Sequence, residues 1–267
     1  MGALLDEAKK LADRGVQELI VIAQDITRYG MDLGDGTDLA GLLRALCRLP
    51  FHWIRLHYLY PEVITDELIR VIASEPKLLH YLDIPIQHCN DAILKRMRRR
   101  NTRAELEALF DKLRAAMPDV VIRTSLICGL PGEGEAEFEE LCQFLREQKL
   151  QRVGVFQFSP EEGTLAAAMD DQVDGDVAAR RVELVVDLQS RIMDAYNEER
   201  LGTVMEVLCE GFDSAEGCYA GRTYADSVDI DGRVLFTAAG LVPAGEFVQV
   251  RITGVSDDGD LTGEIEA

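Results

Sequence analysis

Apolar positions along the first two hundred residues recur at two alternating periods. Leu4, Leu5, Ala8, Leu11 and Ala12 share one face of a 3.6-residue repeat and predict an opening helix, and the short apolar run at 18–23 then reads as a buried strand. Leu39, Leu42, Leu43 and Leu46 mark a second helix before an apolar strand at 53–59. Asp66 and Glu67 sit where a helix macrodipole favours anions, ahead of Leu68, Ile69, Ile72 and Ala73, and a strand follows at 81–86. Thr102 and Glu105 have capping-box spacing and open a helix through Leu106, Leu109, Phe110 and Leu113 that Pro118 closes. A fourth strand at 120–127, a helix with Phe138, Leu141, Cys142 and Leu145 facing inward, and a fifth strand at 152–158 complete the series.

Buried strands separated by helices predict parallel βαβ units, as an α/β barrel or a doubly wound sheet. Polar residues gather just after each strand, at Gln24-Asp25, Tyr60, Gln87-His88, 129–133 and 159–164. That carboxyl edge is where parallel α/β folds bind ligands. The series begins on a helix, so the reading expects a βα array without its opening strand. A long helix at 176–200 follows. The pattern then changes to short β-type segments at 204–209, 217–220, 227–230, 233–237, 247–255 and 261–265, with Asp231-Gly232 and Asp258-Gly259 as turn dipeptides. This predicts a small antiparallel OB-like barrel. The expected divisions are 1–175, a linking helix 176–202, and 203–267.

Composition narrows the function. With 48 acidic and 28 basic residues the formal charge is −20, which opposes broad attraction to nucleic acid or anionic lipid and suits a basic protein partner. Residues 203–267 hold thirteen carboxylates and only Arg222, Arg233 and Arg251, so half of the net charge lies in a quarter of the chain. No apolar run approaches a membrane span, and no secretory signal opens the sequence; a cytoplasmic setting is expected. Cys47, Cys89, Cys128, Cys142, Cys209 and Cys218 are never closer than nine positions, which matches no metal-site spacing and predicts reduced, buried thiols.

Candidate chemistry sits at the strand ends. Gln24-Asp25 can receive an ammonium group and bond a neighbouring amide, although an Asx-turn supporting the loop is the commoner use of such a pair. His88 follows Gln87 at the sheet mouth, where a lone histidine is more often structural than catalytic. Residues 126–133 contain glycines that let a ligand approach backbone, yet suit a plain strand-to-helix connection too. Lys95 to Arg100 packs five cations into six positions, either as a solvated helix end or as a phosphate or partner contact.

Several stretches together resemble the methylthiotransferase branch of the radical SAM enzymes, of the RimO type: IAQDITRYG (22–30), WIRLHYLYP (53–61), YLDIPIQH (81–88), LKRM (94–97), RTSLICGLPGE (123–133), GVFQFSPEEGT (154–164) and GRTYADSVDIDG (221–232). They occur in order over essentially the whole chain. The branch that modifies tRNA typically reads QN at Gln24-Asp25 and has an arginine within the segment holding Glu161-Glu162, so both departures favour the ribosomal-protein branch. The resemblance implies a partial (β/α) TIM-type barrel lacking its first strand here, followed by a TRAM domain. It implies S-adenosylmethionine held against a 4Fe-4S cluster, a 5′-deoxyadenosyl radical, and methylthiolation of the β-carbon of an aspartate in small-subunit ribosomal protein twelve. Carried over by motif, Gln24, Asp25, Gln87, His88, Arg123, Thr124, Gly129, Gly132 and Glu133 would line the cofactor site, with Phe156 and Ser159 at the end of the last strand. Asp226, Asp229 and Asp231 would meet the basic partner.

The family's three-cysteine N-terminal domain and its CxxxCxxC are absent from this sequence. The expectation is therefore a fragment with no metal ligands of its own, inactive alone. Two alternatives remain: a fragment of a tRNA methylthiotransferase, disfavoured by an acidic barrel, or a non-enzymatic module that binds a ribosomal protein.

Overall fold

The computed structural model describes residues 1–266. Five strands, β1 (Glu18–Val21), β2 (Trp53–Leu56), β3 (Leu78–Asp83), β4 (Val121–Cys128) and β5 (Arg152–Gln157), lie in chain order in one sheet, every neighbouring pair parallel. Helix α1 (Gly2–Asp13) precedes β1. The crossovers contain α2 (Leu39–Leu46), α3 (Asp66–Ser74), α4 (Asp91–Arg96) with α5 (Arg103–Ala116), and α6 (Glu135–Gln148). Side-chain oxygens of Asp38, Thr65, Asn90 and Thr102 accept the first free N–H groups of α2 to α5, and the Thr102–Glu105 capping box forms as its spacing predicts.

Alternation along the strands separates two faces. Ile54, Leu56, Leu82, Ile122 and Leu126 pack beneath the helices with Leu43, Ile72, Phe110 and Leu145. The opposite, concave face carries Trp53, Arg55, Tyr81, Val121 and Arg152, an unusual mixture for a buried surface. β2 stops at Leu56 rather than 59. β3 begins at Leu78 and ends at Asp83, since Pro85 has no amide to continue the ladder.

Helix α7 (Gly175–Glu198) packs on β4, β5 and α6 and leads into a closed barrel of β6 (Val204–Asp213), β7 (Cys218–Arg222), β8 (Val234–Thr237), β9 (Phe247–Val255) and β10 (Leu261–Ile265). Val207, Val234, Phe236, Val250 and Ile252 fill its interior. The barrel is not wholly antiparallel: β10 closes it by pairing parallel to β8. Asp258-Gly259 turns between β9 and β10, with Gly259 at φ +86°.

The expected strand at 227–230 and its Asp231-Gly232 hairpin do not form. Ser227 O instead accepts from Asp231 N (3.2 Å), and the Asp231 carboxylate accepts from Ser227 N (2.8 Å), closing a turn. The reason is tertiary, because residues 223–231 are inserted against the concave face of the sheet. Arg55, fully buried, donates to Glu18 (2.7 Å) and to Tyr224 O (2.8 Å). The other oxygen of Glu18 receives Arg222 of the barrel (2.8 Å). Tyr81 donates to Asp231 (2.6 Å), Ser227 bonds His57 (3.0 Å), and Arg152 pairs with Asp226. Trp53 meets Phe247 edge to face at 4.7 Å.

This junction corrects the partner-binding expectation. Asp226 is 3% exposed and Asp231 is bonded inside the turn, so neither carboxylate faces a partner; only Asp229 of the three is exposed. Buried carboxylates need paired cations, and these have them.

Candidate functional site

At the carboxyl edge of the sheet lies a cleft of about 520 Å³, lined by Ile22, Ala23, Gln24, Tyr58, Tyr60, Pro85, Gln87, Arg99 and Ser125. Two of its residues take left-handed backbone conformations that side chains with a Cβ rarely adopt: Tyr58 at φ +59° and Gln87 at φ +70°. Both are over-determined. Tyr58 N donates to Asp83 (3.2 Å), and its carbonyl accepts from Ile26 N (3.1 Å). Gln87 N donates to Ser125 O and its carbonyl accepts from Ile127 N, each at 2.9 Å. The bonds turn both side chains out of the strand alternation at the cleft.

Asp83 anchors this arrangement from below. It accepts from Arg123 (2.7 Å) and lies 3.5 Å from His57 Nδ1. Burial opposes its charge, but His57, Arg123 and the Tyr58 amide outweigh that and hold its carboxyl below the ordinary range.

A second cluster shapes the loop after β4. Glu133, 2% exposed, accepts from Gly129 N (3.0 Å) and Arg181 (3.0 Å), and its other oxygen lies 3.5 Å from His88 Nε2. Burial again opposes the charge, and these donors lower its pKa nonetheless. Gly129 (φ +83°) brings the loop so near α7 that a Cβ there would sit 2.4 Å from Ala178 Cβ. At Gly132 the Arg96 guanidinium takes the corresponding space and donates to Asp170 O (3.1 Å).

The structure therefore separates the residues that the sequence motifs grouped. Gln24 and Gln87 line the cleft. Asp25 does not; it caps the following 3-10 turn, accepting from Thr27 N (3.0 Å) and Arg28 (2.7 Å). Thr124 is a buried clip, donating to Ile84 O (2.7 Å) and accepting from Ile86 N (3.1 Å). His88, Gly129, Gly132 and Glu133 form the loop cluster, and Arg123 orients Asp83. Phe156 is 56% exposed at the end of β5, and Ser159 bonds Glu161 (2.9 Å); neither lines the cleft. Tyr58, Ser125 and the interdomain pair Arg55 and His57 were not singled out as candidates. Arg55 and His57 carry a readable signal, being polar residues two apart on an otherwise apolar strand.

Among the described residues no three of His, Cys, Asp and Glu come together to hold a metal. The six thiols are free, and burial raises the pKa of each; Cys128 is pushed up to about 12. Such thiols are poor sources of thiolate. The residues present do not fit a 4Fe-4S cluster. The cleft does fit a nucleoside-bearing cofactor: Gln24, Gln87 and Ser125 offer neutral donors and acceptors, and Tyr58 and Tyr60 offer aromatic faces.

Residues 2–145 match the radical SAM superfamily and residues 201–265 the TRAM domain. The chain is similar to the ribosomal protein uS12 methylthiotransferase RimO of Pelobacter propionicus, 47% identical over 99% of this chain and 59% of that protein. It is 46% identical to the RimO of Acetivibrio thermocellus over 99% of this chain and 58% of that protein. The chain thus spans under two thirds of the length of these curated relatives. Among solved structures it resembles coproporphyrinogen III oxidase (HemN) from Escherichia coli, a radical SAM enzyme, with TM-score 0.58 and 15% identity over 84% of this chain and 59% of that one, which shows the fold.

Proposed function

The chain belongs to the radical SAM superfamily, and from that premise we propose that it serves the methylthiolation of ribosomal protein uS12, at the β-carbon of an aspartate. The observation that carries this reading is the 47% identity to a uS12 methylthiotransferase over 99% of the chain, sheet and barrel alike. A ribosomal protein as target sets the reaction in the cytoplasm.

S-adenosylmethionine would be held in the strand-end cleft, where Gln24, Gln87 and Ser125 would supply neutral hydrogen-bonding groups and Tyr58 and Tyr60 aromatic surface. When bound there it supplies the hydrogen-abstracting radical chemistry of the superfamily. The chain's own part is positional. The paired left-handed residues, with Asp83 and Arg123 behind them, fix the cleft wall, and Glu133 with Arg181 fixes the neighbouring loop. Among the described residues no set of thiolates comes together that could hold an iron–sulfur cluster. The chain reconstituted anaerobically with iron and sulfide is accordingly expected to hold less than about one cluster and to release no 5′-deoxyadenosine. Stoichiometric cluster iron with 5′-deoxyadenosine formation would refute this.

The partner reading rests on charge. Residues 203–267 carry −10, which opposes a polyphosphate backbone and favours a basic ribosomal protein. Titration of the whole chain with uS12 and with tRNA tests it. Binding to uS12 at low salt that weakens steeply toward 0.5 M supports the assignment. Tighter binding to tRNA, or uS12 binding indifferent to salt, points to the tRNA-modifying alternative.

A further inference from the structure

Strand β5 has one open flank. Its other flank pairs with β4, and no strand of the described residues covers the open one. Phe158 N donates to Cys128 O (2.8 Å), so the alternation of a strand turns the backbone N–H and C=O groups of Val153, Val155 and Gln157 toward the open flank. Two cavities, of about 230 and 330 Å³, share Arg152, Val153, Gln189 and Met193 and form one groove along that flank. Helix α7 makes one bank, and the turns at Ile230 and at Asp258-Gly259 make the other.

The groove carries polar groups that the chain leaves unanswered. Gln189 of α7, 6% exposed, donates to Leu150 O (2.9 Å) and Gln151 O (3.4 Å), as a neighbouring strand would, yet its Oε1 has no partner. A buried carbonyl oxygen of that kind calls for an N–H donor. Asp194 and Asp258 line the groove exposed and without an ion pair among the described residues, whereas Asp260 beside them is held by Arg233 (2.9 Å). The arginines on its floor are engaged, Arg152 by Asp226 and Arg123 by Asp83. A row of backbone groups, one buried acceptor and two carboxylates are together answered by an extended peptide with basic side chains. A polynucleotide, or a second copy of this chain at −20, would bring negative charge to Asp194 and Asp258.

Register joins the groove to the cofactor cleft. Gly154 pairs with Ser125, which lines that cleft, and Phe156, next along the same face, is 56% exposed and can cover an apolar side chain of an added strand. We propose that an extended basic segment of uS12 adds to β5 as a further strand, seated between α7 and the barrel turns and led toward the cleft; this rests on the uS12 reading and deepens it.

The test is amide hydrogen exchange by NMR on the whole chain at low salt, with and without saturating uS12, beside calorimetric titration of uS12 into variants. The Val153, Val155 and Gln157 amides should exchange at least about tenfold more slowly in the complex, and those of β1 at the opposite edge should change less than about twofold. Asp194→Asn with Asp258→Asn should weaken uS12 about fivefold. Asp6→Asn with Glu7→Gln removes the same charge from the exposed face of α1, ahead of β1, and should weaken it less than about twofold. Equal losses from the two pairs mean that the attraction is diffuse and the groove is not the site. Protection at β5 that rises with the chain's own concentration, without uS12, means that the edge pairs two copies instead and overturns the proposal. Binding of uS12 with unchanged exchange at β5 sinks the proposal alone. Failure of the unmodified chain to bind uS12 at all sinks the uS12 reading itself, and the proposal with it.

Discussion

Asp226 shows how little charge alone says about where a residue works. It sits in the acidic C-terminal segment, yet it pairs with Arg152 and accepts from Thr223 N (3.1 Å) inside the junction. Asp226→Ala is therefore expected to strand a buried guanidinium and cost about 3 kcal/mol in urea unfolding, while the folded fraction binds uS12 as before. A stable variant with a slowed association rate would restore the surface role. Glu133→Gln should behave similarly, since Arg181 and the Gly129 amide lose a charged acceptor. A loss of about 3 kcal/mol by urea unfolding is expected, with no change if Glu133 is merely a loop residue. The folded-state pKa values of Glu18, Asp83 and Glu133 all lie below their ordinary values, burial opposing the shift and the arginine or histidine partners outweighing it. A lowered folded pKa means stability that is complete above the ordinary carboxylate range, near pH ~4, and is lost as the pH falls through the lowered values. Far-UV circular dichroism should thus show acid unfolding beginning below pH ~4; a chain equally stable at pH 2 and pH 7 would contradict the pairing.

At the scale of elements, the loop after β4 depends on glycine for both conformation and space. Gly129→Ala would demand a left-handed alanine whose Cβ meets Ala178 at 2.4 Å, so α7 must move off the sheet. A loss of more than ~2 kcal/mol is expected in thermal or urea unfolding. A neutral effect would mean that α7 is not held by this approach. The helices and strands here were legible from periodicity because each buries one face against a contiguous core, as Leu43, Ile72 and Phe110 do. Residues 227–231 were not legible. Their Asp-Gly dipeptide has hairpin chemistry, but Ser227 and Asp231 gain partners in His57 and Tyr81 that no local rule anticipates.

Across the whole molecule, sheet and barrel share one junction, with Glu18 gripping Arg55 on one side and Arg222 on the other. Trp53, the chain's single tryptophan, lies in it against Phe247. Its fluorescence and far-UV circular dichroism should therefore report one coincident unfolding transition in urea; a tryptophan change preceding the loss of secondary structure would mean that the barrel separates first. The αβ alternation, the change to β-barrel after the long helix, the acidic character of that barrel and the motifs that place the chain in its family were all determined by the sequence alone. They rest on local periodicity, composition and residue identity, which are properties of neighbours in the chain. Which motif residues share a cleft was decided only in three dimensions. Gln24, Tyr58 and Gln87 come from three different strand-end connections, while Asp25 and Thr124, each one residue from a cleft-lining position, turn inward to hold backbone. Direction at a strand end depends on hydrogen bonds to the neighbouring strand, and that neighbour is distant in sequence.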